Sequence, residues 1–435
     1  MPNNNKNQKY FLESLGCPRN LVDSEFFAGL TEQGGYKQTE NPAEADLIII
    51  NTCGFIKDAK EESIERILEL LEFKKNIPGC RLIVTGCLVQ RYQSGLQKSI
   101  PEVDHFVDLK DFKNFAELLA LPDFLMQRSS LEPLPYAYLR ISDGCDNCCS
   151  YCAIPAIRGK VKSESTATLI EEAKSLADKG IKELIITAMD ITQYGKDLPS
   201  SNNLQKLLDK LTAITGIEWV RLLYLHPAHI TPDLLYLIKD NHKICQYLDI
   251  PIQHINDRIL RNMNRKITRQ EIEKLINMIR DILPGAALRT TLITGFPGET
   301  EEEFKELVEF VKVTRFNRLG VFQYSRETGT AAYGLQGQVH HQTALRRKRE
   351  LTELHNSISE ELLKSFIGQT VEVLIDTESA DSSFLLEGRT RYDAPEIDGM
   401  VFIKTGKGNV GDIVRIKIDE SLQHDLIGHI AVEAQ

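Results

Sequence analysis

The chain has 435 residues, of which 42% are hydrophobic and 26% are charged, and its net charge is −10 at pH 7. These values are ordinary for a globular protein, and the length indicates about three domains. The acidic balance disfavours bulk binding to nucleic acid and would suit a basic partner. Residues 1–8 resemble neither a signal nor a transit peptide, and no apolar run approaches the ~20 residues that span a membrane. We therefore expect a cytoplasmic protein.

Residues 9–122 alternate between strand-like and helix-like patterns. This alternation predicts a doubly wound parallel sheet for the N-terminal domain, to which we assign residues 1–122. The predicted strands are Lys9–Leu15, Ala45–Ile50 and Arg81–Thr85, and the predicted helices are Asn20–Gln33 and Lys57–Phe73.

A cysteine follows each predicted strand of this domain, at Cys17, Cys53 and Cys87. The carboxyl ends of parallel strands face one crevice, so the three thiols could converge there on a metal cluster. The chain has nine cysteines, an odd number that favours metal ligands over a disulfide framework. Alternatively, each cysteine is simply a small buried residue, which leaves their shared position unexplained. Cys80 precedes its strand and is not expected to be a ligand.

A central domain, assigned to residues 131–365, follows a linker at Pro122–Pro135. Six βα pairs predict an incomplete (β/α)6 barrel with active residues at the carboxyl ends of the strands. An open side of such a barrel would suit a macromolecular substrate. The predicted strands are Tyr136–Ile141, Leu184–Thr187, Trp219–Tyr224, Tyr247–Ile250, Ala287–Ile293 and Leu319–Tyr324.

The loop after the first of these strands holds four cysteines in eight residues, from Cys145 to Cys152. Cys145, Cys149 and Cys152 can present three thiolates to an iron–sulfur cluster, which normally takes four, so that one iron keeps an open position. The spacing of Cys145 to Cys148 and of Cys149 to Cys152 also fits structural zinc. On the cysteines alone, both metals remain possible.

The tail, assigned to residues 366–435, predicts five short strands and therefore a small antiparallel barrel of the oligonucleotide-binding type. This segment has six Lys or Arg and thirteen Asp or Glu, a net charge of −7. A surface that neutralises phosphates needs the opposite sign, so we expect a basic protein partner rather than RNA, unless the acidity only maintains solubility. The predicted strands are Val371–Ile375, Leu385–Thr390, Met400–Lys404, Val414–Ile418 and Leu426–Val432.

The Cys-x3-Cys-x2-Cys loop, with Tyr151 before its last cysteine and a strand before its first, resembles that of radical S-adenosylmethionine enzymes. In that superfamily the amino and carboxylate groups of S-adenosylmethionine bind the open iron, and the aromatic residue lies near the adenine. The resemblance implies that Cys145, Cys149 and Cys152 are ligands and that Cys148 is not.

The N-terminal motifs resemble the methylthiotransferase family more specifically. They include Ser14–Glu25 with its Leu-Gly-Cys-Pro sequence, Asn51–Phe55 and Thr85–Cys87, and the first of these is similar to the branch that modifies ribosomal protein uS12. The resemblance implies an auxiliary 4Fe–4S cluster on Cys17, Cys53 and Cys87. Residues 388–389 and 393–399 resemble the TRAM domain of the same family.

Several strand ends resemble segments that contact S-adenosylmethionine. Thr294–Thr300, with its two glycines, resembles the segment at the ribose and methionine, and Thr300 with Glu303 predicts a capping box. A lone histidine such as His254 is as often structural as functional, and Arg289 could equally pair with carboxylates in the barrel. The implied cofactor-binding residues are Tyr151, Asp190, Gln253, His254, Arg289, Gly295, Gly298 and Glu299.

The resemblance implies transfer of a methylthio group to the β-carbon of an aspartyl residue of uS12. Two 4Fe–4S clusters and S-adenosylmethionine would be the cofactors, with an electron donor and a sulfur source as further partners. No side-chain acid or base is assigned a catalytic role, because activation of such a carbon needs a cofactor. The alternatives are a tRNA adenosine methylthiotransferase, a radical enzyme with structural N-terminal thiols and a non-catalytic zinc-binding interaction protein.

Overall fold

The computed structural model of the protein describes residues 8–199 and 203–431, and the chain forms two compact units. The N-terminal unit contains the chain through Pro133 together with two later segments, Cys152–Lys160 and Ser325–Thr330. The second unit contains Leu134–Tyr151, Val161–Tyr324 and the chain from Ala331 onwards. Among the described residues, no helix has both the length and the apolar character of a transmembrane segment.

A five-stranded parallel sheet forms the centre of the N-terminal unit, in the order β2-β1-β3-β4-β5, which confirms the predicted doubly wound sheet. The central strand β3 is buried along its whole length, as its run of isoleucines predicts for a strand covered on both faces. The two-residue edge strands are too short to show an alternating pattern and were not predicted. The strands are β1 (Lys9–Ser14), β2 (Lys37–Gln38), β3 (Leu47–Thr52), β4 (Arg81–Gly86) and β5 (His105–Phe106).

Helices cover this sheet, and one of them comes from the central part of the sequence. That helix, α5, follows the cysteine loop and was not predicted, since five residues are too few to show a helical period. In the later segment Ser325–Thr330, Glu327 is buried and accepts hydrogen bonds from Lys60 (2.7 Å) and Arg91 (2.9 Å). The helices are α1 (Pro18–Gln33), α2 (Lys57–Lys75), α3 (Cys87–Ser99), α4 (Phe112–Leu118) and α5 (Ile154–Arg158).

The second unit contains a six-stranded parallel sheet in the order β6-β9-β10-β11-β12-β13. Its two edge strands, β6 and β13, are not paired with each other, so the barrel is incomplete, as predicted. A small two-stranded sheet, β7 with β8, flanks the cysteine loop. The strands are β6 (Tyr136–Arg140), β7 (Ser142–Asp143), β8 (Lys162–Ser163), β9 (Glu183–Thr187), β10 (Trp219–Leu222), β11 (Ile244–Asp249), β12 (Ala287–Thr294) and β13 (Arg318–Gln323).

The helices of this unit follow the strands in the expected alternation. Thr300 and Glu303 form the predicted capping box, with the Thr300 side chain accepting from the Glu303 amide and the Glu303 carboxylate accepting from the Thr300 amide. The helices are α6 (Thr166–Asp178), α7 (Leu204–Thr212), α8 (Pro232–Asp240), α9 (Asp257–Asn262), α10 (Arg269–Ile282), α11 (Glu301–Thr314) and α12 (His341–Lys364).

The tail closes into a five-stranded barrel in the order β14-β15-β16-β18-β17. All pairings are antiparallel except that of β16 with β18, which is parallel because β18 returns beside β16 after β17. Val432, the last residue of the final predicted strand, lies outside the described residues. The strands are β14 (Thr370–Glu378), β15 (Leu386–Thr390), β16 (Val401–Ile403), β17 (Ile413–Ser421) and β18 (Leu426–Ile430).

Buried ion pairs join the tail barrel to two of the central strands. Arg389 of β15 donates to both carboxylate oxygens of Asp376 (2.6 and 3.0 Å) and lies 2.8 Å from Glu183 of β9. Arg221 of β10 donates to the other oxygen of Glu183 at 2.6 Å. All four side chains are nearly excluded from water, so each charge depends on its partners.

Replacing Arg389 tests this dependence. Arg389→Met leaves the buried Asp376 carboxylate without this cation and leaves Glu183 with Arg221 only. We therefore expect the free energy of unfolding to fall by about 3–5 kcal/mol. Lys404→Met, which breaks an exposed pair with Glu420, is the matched control and should change it by less than about 1 kcal/mol. Denaturant unfolding measures both, and equal stabilities of the two variants would contradict the expectation.

Part of the predicted linker packs on α1 of the N-terminal unit. The Ser129 amide donates to the Glu25 carbonyl at 3.0 Å, and the buried Arg128 guanidinium pairs with the Glu25 carboxylate. A Cβ atom on Gly29 would lie only 1.9 Å from the Gln127 carbonyl oxygen. Gly29 is therefore required by the close approach of two backbones, not by its own conformation.

This contact reverses the usual effect of a glycine-to-alanine change in a helix. Alanine normally stabilises a helix by about 1 kcal/mol relative to glycine, and Gly95→Ala in α3, where no atom lies within 4 Å of the new Cβ, should do so. Gly29→Ala must displace backbone, and we expect a loss of about 1–3 kcal/mol. Opposite shifts of the melting temperature are the expected result, and a rise for both variants would contradict it.

Candidate functional site

The three N-terminal cysteines lie at the carboxyl ends of three adjacent strands. Cys17 follows β1 and precedes α1, Cys53 follows β3, and Cys87 begins α3 directly after β4. The turns approach each other closely, because a Cβ atom on Gly16 would lie 3.0 Å from the Cys53 sulfur. Cys53 and Cys87 are buried and Cys17 is partly buried. Parallel pairing thus gathers residues that are tens of positions apart, as the sequence predicts.

The side chain of Asn20 contacts the turns that carry all three thiols. Its amide nitrogen donates to the carbonyls of Leu15 (2.9 Å) and Thr52 (3.1 Å), which precede Cys17 and Cys53. Its amide oxygen accepts from the Cys87 sulfur at 3.5 Å. Asn20 is completely buried on the first turn of α1, so this one carboxamide fixes the spacing of the three strand ends.

The thiols differ in how readily they lose a proton. Burial raises the pKa of Cys87 to about 12 and also raises that of Cys53. Burial would raise the pKa of Cys17 as well, but the nearby Arg19 and Arg158 more than offset it, and the pKa is lowered. Buried thiols of this kind ionise when a metal replaces the proton. Three converging thiols with an arginine beside them therefore fit an iron–sulfur cluster.

In the second unit, hydrogen bonds from several elements hold the loop that carries Cys145 and Cys149. The Ser150 amide and hydroxyl donate to the carbonyls of Met263 (2.9 Å) and Asn262 (2.7 Å), and the Asn147 amide donates to the Cys145 sulfur at 3.4 Å. The Arg265 guanidinium lies 3.8 Å from the Cys149 sulfur. Burial raises the pKa of Cys145 to about 11. The loop is thus shaped before any metal binds.

The two remaining cysteines of this motif differ in their surroundings. Cys148 is exposed, and its thiol donates to the Asp146 carbonyl at 3.5 Å. Cys152 is the first residue of the segment that folds with the N-terminal unit. Across the described residues, none of the nine cysteines is joined in a disulfide, which agrees with the expected reduced thiols.

Asp190, at the end of β9, connects the cysteine loop to the next strand. Its carboxylate accepts from Asn147 (2.7 Å) and Gln193 (2.9 Å) and lies 3.2 Å from His229 Nδ1. Burial would raise the pKa of this carboxyl, but these bonds and one from Thr192 hold it below its usual range. His226 and His229 also bring ligand atoms within 4.8 Å of Asp190. The many hydrogen bonds on Asp190 fit a support for the loop better than a metal ligand.

Glu299 and His254 pair inside the protein. Glu299 Oε1 lies 3.2 Å from His254 Nε2, and Oε2 accepts from the Gly295 amide at 2.5 Å and from Arg347 at 2.7 Å. A Cβ on Gly295 would lie 2.4 Å from Ala344 Cβ, so this glycine also admits helix α12. Both side chains are thus buried and hydrogen-bonded within the protein, and they stabilise the segment that begins at Gly295.

The other implied cofactor-binding residues divide into two groups. Tyr151 packs beside Phe296, which follows Gly295, and Gln253 has a positive φ of 73° next to His254, so both lie near the carboxyl ends. Gly298 has a φ of 82° and donates its amide to the Gly337 carbonyl at 2.7 Å. Arg289 instead pairs with Asp249 at 2.8 Å and with Asp398 of the tail at 3.5 Å, the carboxylate pairing given above as its alternative.

Two buried residues beside the N-terminal thiols were missed in the sequence. Asn20 lies within the Ser14–Glu25 motif, three positions after Cys17. In the sequence it is only a polar residue near the start of a predicted helix, and that position indicates no function. Arg158 follows Cys152 by six residues, and its contact with the Cys87 sulfur depends on α5 folding with the N-terminal unit. The only sequence signal was the position of each residue next to a cysteine motif.

Three known families match separate stretches of the chain. Residues 9–108 match the uncharacterized protein family UPF0004, residues 139–311 match the radical SAM superfamily, and residues 367–431 match the TRAM domain. The structure of the radical S-adenosylmethionine methyltransferase TsrM from Kitasatospora setae, with cobalamin and a [4Fe-4S] cluster bound, is similar, with a TM-score of 0.57. It is 14% identical and the match covers 84% of this chain and 79% of that one, a likeness of fold. The chain is a radical S-adenosylmethionine enzyme.

Similar curated proteins specify the family. The ribosomal protein uS12 methylthiotransferase RimO of Geotalea uraniireducens is 45% identical, with 97% of this chain and 98% of the relative covered. Those of Geobacter sulfurreducens and Clostridioides difficile are 44% and 43% identical, with 98% of this chain and 99% of each relative covered. The chain belongs to the family of RimO-type ribosomal protein uS12 methylthiotransferases.

Asn20→Ala tests whether the carboxamide holds the thiols together. The buried carbonyl of Thr52 and the partly buried carbonyl of Leu15 would each lose a donor, and we expect the free energy of unfolding to fall by about 2 kcal/mol or more. We also expect iron bound by the N-terminal unit to fall severalfold after anaerobic reconstitution. Gln38→Ala, which removes an exposed carboxamide from the same unit, is the control and should affect neither measurement. Full iron binding by Asn20→Ala would contradict this role.

Proposed function

We propose that the chain adds a methylthio group to the β-carbon of an aspartyl residue of ribosomal protein uS12. The observation that carries this proposal is the convergence of Cys17, Cys53 and Cys87 on Asn20, separate from the cysteine loop after β6. A radical enzyme that only cleaved S-adenosylmethionine would need one cysteine set. A second set of buried thiols, at the ligand-binding edge of its own parallel sheet, fits a dedicated sulfur-donating centre.

The two cysteine sets would hold different 4Fe–4S clusters. Cys145, Cys149 and Cys152 would bind the cluster that chelates S-adenosylmethionine, and Cys17, Cys53 and Cys87 would bind the auxiliary one. When bound, and given an electron, the first cluster with S-adenosylmethionine would supply the radical chemistry that removes a hydrogen atom from the substrate carbon. The auxiliary cluster would supply the methylthio group, with its sulfur from a sulfur source and its methyl from a second S-adenosylmethionine. The exposed position of Cys148 supports its exclusion from the ligand set.

The chain's own residues would orient the cofactor and exclude water. Tyr151 packs in one cluster with Phe296, which lies between Gly295 and Gly298 in the chain. Tyr151 and the backbone of these two glycines are therefore the best candidates for adenosine and methionine contacts. Asp190 and Gln253 would contribute through the loop and backbone that they hold. His254 and Glu299 are buried against each other and would hold the backbone that makes these contacts. Arg289, which pairs with Asp249, would stabilise the barrel and not bind the cofactor. Such fixed positioning is the contribution that a protein makes to this chemistry.

The acidic tail is proposed to favour a basic protein substrate. In its described residues, seven acidic side chains are exposed, against four basic ones. This sign is complementary to a basic ribosomal protein and unfavourable for tRNA, and it would steer the encounter. The exposed acidic residues are Glu372, Glu378, Asp381, Glu396, Asp412, Asp419 and Glu420. A ribosomal substrate also implies a cytoplasmic reaction, with an electron donor and a sulfur source as further partners.

Two triple variants separate the roles of the clusters. Replacing Cys17, Cys53 and Cys87 by Ala should abolish methylthiolation of purified uS12 while cleavage of S-adenosylmethionine continues. Replacing Cys145, Cys149 and Cys152 by Ala should abolish both reactions, because the open iron would be lost. Iron and sulfide analysis of each protein, with mass spectrometry of uS12, gives the measurement, and the parent should bind about eight irons.

The alternatives give different results in the same assays. Methylthiolation of tRNA but not of uS12 would indicate the tRNA-modifying reaction. Unchanged uS12 methylthiolation without Cys17, Cys53 and Cys87 would make the N-terminal thiols structural. A colourless protein that contains zinc after anaerobic purification would indicate a non-catalytic binding protein.

A further inference from the structure

Arg158 is a fully buried cation beside the N-terminal thiols. Its Nη2 donates to Asn20 Oδ1 at 2.6 Å, to Asp23 Oδ2 at 3.1 Å and to the Cys87 sulfur at 3.5 Å. The side chains of Arg158 and Asp23 are both excluded from water. The guanidinium therefore contacts the carboxamide that holds the three turns and one of the three thiols themselves.

Packing of α5 also places apolar side chains around Cys87. Ala153, which directly precedes α5, and Ile157 of α5 form a small buried cluster with Cys87 and Leu109. Water is thus kept from the side of Cys87 that faces α5. In such surroundings a charge acts more strongly on its neighbours than it would in water.

The charges around the thiols are unbalanced once they ionise. Asp23 balances Arg158 while the thiols are protonated. Three thiolates would add three negative charges, and Arg19 and Arg158 are the cations that act on Cys17. Loss of Arg158 would remove the cation that contacts both Asp23 and the Cys87 sulfur. Reduction adds a further negative charge, so a nearby cation favours the reduced cluster, and charge is one of the factors that set a cluster's potential.

We propose that Arg158 is a positioning residue of the auxiliary cluster, which orients Cys87 and Asn20 and raises the reduction potential of the cluster through its charge. The inference rests on the proposed function, since it presupposes a cluster on Cys17, Cys53 and Cys87. It adds to that function a residue that contacts no substrate. It also assigns to the segment directly after Cys152 a role at the other cysteine set.

The test uses full-length protein in which only the auxiliary cluster can form. Cys145→Ala and Cys149→Ala together remove two ligands of the other cluster and leave Cys152 and α5 intact. In this parent, Arg158→Gln, Arg158→Lys and Arg66→Gln are compared after anaerobic reconstitution with iron and sulfide. Arg66, which pairs with Glu13 and Glu69 at the surface of the same unit, is the matched control. Iron content and a redox titration followed by electron paramagnetic resonance are the readouts.

At the potential where half of the parent cluster is reduced, Arg158→Gln should lower the ratio of reduced to oxidised cluster at least tenfold. This change corresponds to a midpoint lower by about 59 mV for one electron. Arg158→Lys, which keeps the charge but not the planar fork, should give a smaller fall, and Arg66→Gln none. If Arg158→Gln binds no iron, restored binding in Arg158→Lys would support the role of the charge.

Three results would overturn the inference. The first is an unchanged midpoint in Arg158→Gln with full iron content. The second is absence of iron in both Arg158 variants while their circular dichroism spectra stay native. This result would mean that the shape of the guanidinium, and not its charge, is what the cluster requires. The third is absence of a cluster in the Cys145→Ala, Cys149→Ala parent, and this result, unlike the other two, would refute the auxiliary cluster of the proposed function itself.

Discussion

Parallel strand pairing is the constraint that brings the three N-terminal cysteines together and that places Asp190 and Gly295 at the same edge as the cysteine loop. In a parallel sheet all carboxyl ends lie on one edge, so residues far apart in sequence meet there without any local motif. Cys17, Cys53 and Cys87 follow β1, β3 and β4, which are neighbours in the sheet. In the second unit the cysteine loop, Asp190 and Gly295 follow β6, β9 and β12 in the same way. A change of one residue in the pairing register of a strand would turn its side chains to the other face of the sheet and displace the residue that follows it at this edge.

Buried ion pairs between the central strands and the tail barrel serve stability instead. Glu183 pairs with Arg221 of the neighbouring strand and with Arg389 of the tail barrel, and Arg289 pairs with Asp398 of the tail. Such pairs are strongly destabilised when one partner is lost, which makes the tail part of the central fold and not a loosely attached module.

Much of this fold could be predicted because its signals are local and periodic. The isoleucine run of β3, the capping box at Thr300 and the six βα units are readable from sequence and agree with the structure. Edge strands of two residues and the five-residue helix α5 were missed, since neither contains a full period. Asn20 and Arg158 were missed for another reason, because their importance lies in which carbonyls and thiols they reach. Tertiary contacts of single polar residues leave no pattern in the chain.

The discontinuity of the N-terminal unit limits how this enzyme can be recombined with its relatives. A hybrid with one crossover near Pro133 would carry all three N-terminal cysteines from one parent, but α5 and Ser325–Thr330 from the other. Arg158 would then have to fit a foreign Asn20 and Asp23, and Glu327 a foreign Lys60 and Arg91. A functional exchange of the N-terminal unit therefore has to replace three stretches of sequence together, namely the chain through Pro133, Cys152–Lys160 and Ser325–Thr330.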